Sequence, residues 1–186
     1  MTKATNFTNQ FLIAMPALSD PNFFHSVTLI CEHNADGAMG IVVNHPMDIT
    51  LNAVFEHMQI ASHEPVGDAP VYSGGPVQPD RGFILHQPVG DWSSTLRIGD
   101  EVAVTTSRDI LEALAEGQGP ERFLAALGYA GWGPGQLEQE IADNTWLTTP
   151  ADSDILFALP AAQRWQAAAR RLGVDLNLLS GEAGHA

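Results

Sequence analysis

Two short apolar runs, Val27 to Glu32 and Met39 to Asn44, flank a loop containing Asp36-Gly37, and this pattern constrains the fold more than any other. β-branched and apolar residues suit the pleated strand, and Asp-Gly supplies the positive φ that a tight hairpin turn needs. A β-hairpin is predicted here. His45-Pro46 ends its second strand, because proline cannot donate to a ladder and holds the preceding residue extended. An isolated hairpin is marginal in water, so further elements must cover it.

The rest of the chain supplies them. Phe11 to Met15, Val71 to Ser73, Phe83 to His86, Glu101 to Thr105 and Trp146 to Thr148 read as strands; Phe123 to Ala130 fits strand or helix, and Gly128 and Gly131 favour strand. Leu51, Val54, Phe55 and Met58 repeat with helical spacing behind Thr50 as N-cap; Ile110, Leu111 and Leu114 do so behind Ser107, with Gly117 placed to end the helix. A helix is expected from Pro134, carrying Leu137 and Ile141, to about Asn144. Another runs from Pro160 to Leu172, with Trp165, Ala168, Ala169 and Leu172 on its buried face, Gly173 beyond its end, and Arg170 and Arg171 in its last turn. Ala61 to Ala69 reads as a surface loop. No repeat, linker or low-complexity tract interrupts the 186 residues, so a single domain, 1–186, is expected.

Composition narrows the function. Eight Lys and Arg stand against 22 Asp and Glu, a formal net charge of −14. Binding to a phosphate backbone needs several cations acting together. Only Arg164, Arg170 and Arg171 cluster, and no nucleic-acid-binding module can be read, so direct nucleic-acid contact is disfavoured. The single cysteine, Cys31, gives no disulfide framework and suits a reducing compartment. Phe11 to Leu18 contains Pro16 and reads as a strand rather than a secretion signal, and no run of about 18 apolar residues is present, so a cytoplasmic protein that does not enter the membrane is expected.

Several longer stretches carry a resemblance: FLIAMPALSDPNF at 11–23, ICEHNADGAMGIVVNHP at 30–46, SGGPVQPDRGFILH at 73–86, TTSRDILEAL at 105–114, LGYAGWGPGQLEQEIADNTWL at 127–147, and the closing GHA. Together they resemble the bacterial AlgH/YqgE family through nearly the whole chain. The resemblance implies a cytosolic α+β domain with a mixed, partly barrel-like β-sheet surrounded by helices. It also implies a family without an established biochemical activity, some of whose members carry a transcriptional-regulator label. It carries over no catalytic residue.

Side chains with chemistry are few. Cys31 and His33, two apart in a strand, are expected on one face with His45 near, as metal ligands or as nucleophile and base. Zinc sites use paired ligand motifs, and a cysteine in an apolar strand is ordinarily a packed residue, so neither a metal nor a cofactor is expected. Gly128, Gly131, Gly133 and Gly135 lie between a strand and a helix, where backbone N–H groups can meet an anion, but the spacing fits no phosphate-binding loop and turn geometry accounts for them. Trp132 and Trp146 read as core with a binding anchor as the alternative. The preferred candidate site is a cleft at strand ends formed by Asn44, His45, Ser73, Gly74, Gly75, Thr105, Thr106 and Ser107, with His45 as its acid or base. Three functions remain open from the sequence: a non-enzymatic regulatory or adaptor protein acting through a protein partner, with any effect on transcription indirect; a small-ligand or nucleotide sensor or enzyme using that cleft; and, disfavoured by charge, a direct DNA-binding transcriptional regulator.

Overall fold

The structure, a computed structural model, describes residues 6–176. The predicted hairpin forms from β2 (Val27–Asn34) and β3 (Gly37–Val42), with β1 (Gln10–Ala14) antiparallel to β2. β4 (Pro46–Thr50) and α1 (Leu51–His57) follow. Proline opens β4, a strand position at which its missing N–H is tolerated. β5 (Pro70–Ser73), β6 (Val77–Gln87), β7 (Thr95–Arg97), β8 (Ala103–Thr105) and α2 (Arg108–Ala115) form the middle of the chain. β9 (Arg122–Trp132), α3 (Gln136–Ala142), β10 (Trp146–Pro150), α4 (Ser153–Phe157) and α5 (Ala161–Arg170) complete it.

The strands run β10-β1-β2-β3-β9-β6-β8-β7 in one sheet that curls into a half-barrel, and β5 pairs with β4 and, in parallel, with β9. The expected α+β domain with a mixed, partly barrel-like sheet is what forms. β9 is its axis. Residues 125–127 pair with β5 and residues 130–132 with β3, while β6 runs along the other edge. The change of partner falls at Gly128, whose φ of +81° a side chain would strain. A Cβ on Gly74 would overlap the Gly128 carbonyl oxygen, so this glycine pair lets the end of β5 cross β9 backbone to backbone.

Alternation along the strands sends side chains to two faces. Leu29, Leu85 and Val104 point into the largest core, closed by Leu156 of α4 and by Trp165, Ala168 and Ala169 of α5. Ile84, Val71 and Ala125 point the other way, under Leu51 and Phe55 of α1 and Ile110 and Leu114 of α2. A third cluster joins Leu12, Ile30, Trp132 and Trp146 to Leu137 of α3.

Several local expectations need correction. Thr50 and Ser107 occupy N-cap positions, but neither hydroxyl caps its helix. Pro65–Asp68 forms a 3-10 turn inside the expected loop. Leu172, expected on the buried face of the last helix, is 41% exposed because the helix has ended at Arg170. β4, β7 and α4, each five residues or fewer, carried too little pattern to be predicted. No helix among the described residues is long and apolar enough to cross a membrane.

Candidate functional site

Cys31 and His33 do not share a face. The ladder between β2 and β3 shifts register between Ile30 and Glu32, leaving Cys31 as the extra residue of a bulge, and a one-residue shift turns every later side chain over. Cys31 packs into the largest core, where burial pushes its thiol well above the ordinary cysteine range. His33 emerges beside α3 instead: its Nδ1 accepts from the Phe7 N–H, which fixes the proton on Nε2. Nε2 lies 3.2 Å from Glu138 Oε1 but makes no directed hydrogen bond. No group of three metal-ligating side chains exists among the described residues.

Trp132 and Trp146 are core residues. Their rings meet edge-on at 6.2 Å, and both indole N–H groups donate to Glu140 Oε1 at 3.0 Å. Gly135 is the αL residue before α3 and Gly133 donates its N–H to Gln136, so these two make the expected turn, whereas Gly128 and Gly131, also expected in it, lie within β9.

The eight candidate cleft residues fall in two places. Asn44 accepts from the Val27 N–H and donates to the His25 carbonyl, both at 2.9 Å, tying β3 to the start of β2. His45 directs Nε2 to the Phe24 carbonyl at 3.1 Å, and burial lowers its pKa. The Ser73 N–H donates to the His45 carbonyl, and Gly74 and Gly75 follow into the glycine crossing. Thr105, Thr106 and Ser107, by contrast, border a pocket of about 340 Å³ between α1, α2 and the sheet.

The interior of that pocket is apolar, formed by Leu51 and Val54 of α1, Val71 of β5, Ile84 of β6, Leu111 of α2 and Leu127 of β9. Asp80, Arg81, His57 and Arg108 join Thr106 and Ser107 as its polar groups. The Arg108 Nη1 donates to the Met58 carbonyl at 2.8 Å, joining the first residue of α2 to the C-cap of α1.

Behind the pocket wall lies a buried polar chain. His86 is fully buried; its Nδ1 faces the Pro88 carbonyl at 2.9 Å, so the proton is there, and Nε2 accepts from the Thr105 hydroxyl at 2.7 Å. Thr105 in turn meets the Thr95 hydroxyl at 2.8 Å, whose proton also reaches the Trp92 carbonyl at 3.0 Å. Every donor is used with His86 neutral, and burial lowers its pKa below the ordinary histidine value. Ser107 does not cap α2 because it donates to Asp109 Oδ1 while accepting from the Ser94 N–H. Asp109 also accepts from the Ser93 amide and hydroxyl and from the Ile110 N–H, and these bonds, that from Ser107 foremost, hold its carboxyl below the usual range.

His86, Thr95 and Asp109 escaped the sequence reading. Alternation did carry a signal for His86: it shares its face with Ile84, two residues earlier, and therefore had to be buried and partnered. Nothing local marked Thr95, whose strand is three residues long.

The AlgH-like family model matches residues 11–177. The chain belongs to the AlgH-like family. A UPF0301 protein of Thioalkalivibrio sulfidiphilus is 69% identical over the whole of both chains, and one of Nitrosococcus oceani is 60% identical over 97% of each. The solution structure of the AlgH protein from Pseudomonas aeruginosa, 50% identical, superposes with a TM-score of 0.80 over 100% of this chain and 99% of that one. A crystal structure from Corynebacterium diphtheriae reaches a TM-score of 0.74 at 22% identity, covering 97% and 94% of the two chains, a likeness of fold alone.

Proposed function

We propose that the protein is a non-enzymatic regulatory protein whose state is set by a small, largely apolar molecule held between α1, α2 and the sheet. The observation that carries this reading is the pocket itself. An apolar interior of about 340 Å³ with a few convergent polar groups is the usual build of a ligand seat. Two of the three hydroxyls beside it are already committed: Thr105 to His86, and Ser107 to Asp109. That arrangement favours binding over group transfer.

Leu111 is half-buried and lines the pocket from α2, so Leu111→Trp fills the space without touching the largest core. A thermal-shift screen of small apolar acids, alcohols and aromatics should give hits that this variant loses while its own unfolding stays cooperative. A ligand at 100 times its Kd contributes about 2.7 kcal/mol. Hits that persist in Leu111→Trp contradict the assignment of the seat.

A second reading, action through a protein partner, draws on a different feature. An open trough of about 890 Å³ crosses the opposite face beside β7, an edge strand whose Leu96 is 40% exposed. An edge strand unpaired on one side among the described residues, with a channel beside it, suits an added strand from a partner. A tagged copy should retrieve a partner from lysate at physiological salt, and Leu96→Arg should abolish the capture; undiminished capture by Leu96→Arg rules the trough out.

A further inference from the structure

In a chain with 22 acidic and eight basic residues, each cation needs an account. Most of the described arginines have a structural one. Arg122 pairs with Asp154 at 3.0 Å and Arg171 with Asp152 at 2.7 Å. Arg164 is buried, donating to the Val43 and Leu159 carbonyls beneath the Tyr72 ring. Arg97 reaches the Asp100 carbonyl, and Arg170 sits in the last turn of α5, where a cation complements the helix dipole.

Arg81 and Arg108 stand apart, because both line the pocket between α1, α2 and the sheet. Arg81 makes no ion pair among the described residues; its guanidinium lies 5.4 Å over the Phe83 ring, with one long bond of 3.4 Å to Gln78. Arg108 spends Nη1 on Met58 and faces Glu112 at a loose 3.8 Å, leaving donors unspent. Asp80 is the single carboxylate on the lining, so the pocket is locally cationic in a strongly acidic protein. Apolar walls with two guanidinium groups describe a site for a molecule with an oily body and an anionic head.

Resting on the ligand-seat reading above, we propose that the pocket binds an acyl carboxylate. Its chain lies among Leu51, Val54, Leu111 and Leu127, and its carboxylate is held by Arg81 and Arg108. At about 340 Å³ the pocket falls in the size class of small-molecule seats, so a medium-length acyl chain such as octanoate is the probe. Guanidinium is the side-chain group whose paired N–H donors match a carboxylate edge.

The test compares three ligands of one length by calorimetric titration: octanoate, neutral octanamide and cationic octylammonium. Octanoate should bind about ten-fold or more tighter than octanamide, and octylammonium weakest of the three. Arg81→Gln, an exposed substitution, should erase the octanoate advantage and leave octanamide affinity unchanged; Arg108→Gln should do the same, with unfolding temperatures confirming that both variants fold. Equal affinities for the three heads, or an octanoate preference that survives both substitutions, overturn the anion assignment while leaving an apolar seat. Binding by none of the three overturns the seat as well.

Discussion

The two faces of the half-barrel carry two hollows of different character. The pocket under α1 and α2 is the smaller and more enclosed, walled by fully buried side chains such as Leu51 and bordered by two arginines. The trough on the other face is more than twice as large but open, and its lining mixes half-buried residues such as Met39 and Val77 with the exposed Ser93, Ser94 and Leu96. Arg81, Phe83 and Thr106 border both. Size alone is therefore a poor guide to a ligand seat. Enclosure is what favours the proposed one, because a ligand gains from apolar walls only where they exclude water.

Matched truncations sharpen this contrast most. Leu51→Ala removes a fully buried wall and should cost about 2–5 kcal/mol. Met39→Ala, at the trough, should cost about 1 kcal/mol. Denaturant unfolding of both variants measures the difference, and equal losses would mean that the trough is as well packed as the pocket. Next in size is Thr105→Val, which keeps the shape of the pocket wall but strips His86 Nε2 of its donor. It should cost about 1–3 kcal/mol, and His86→Phe in addition should recover part of the loss if the unpaired nitrogen is its cause.

The smallest expected effect is on pH dependence. His86, His45 and His25 all have pKa values lowered by burial, so the unfolded chain takes up protons near pH 6.5 while the native chain does not. Stability should therefore fall as pH drops below about 6.5, and the fall should be shallower in His86→Gln. An unchanged slope in that variant would mean that His86 titrates freely and that its buried hydrogen-bond chain is not as described.

How far the sequence could be read follows the same division. The hairpin, the amphipathic helices at 51–57 and 108–115 and the last helix were legible because each repeats a period over seven or more residues, or has a turn that needs glycine, whereas Phe123 to Ala130 fits strand or helix by pattern and only Gly128 and Gly131 favour the strand that forms. Part of the pocket border was legible too, since Thr105 to Ser107, three of its seven polar residues, stand where a strand passes into a helix. Asn44 and His45 looked equivalent on that criterion, yet they knit the start of β2 to β3 while Thr105 to Ser107 border the pocket, and no local pattern distinguishes two strand ends that a long-range crossing separates. Arg81, Arg108 and His57 come from three elements and meet only through the tertiary fold. The bulge that parts Cys31 from His33 is a one-residue event without a compositional mark.

The most direct test of the account is a methyl-resolved NMR titration of the intact protein with octanoate. The account predicts shifts confined to the methyls of Leu51, Val54, Val71, Leu111 and Leu127, with those of Met39, Val77 and Leu96 unmoved. Shifts centred on Met39, Val77 and Leu96, or none at saturating octanoate, would contradict it.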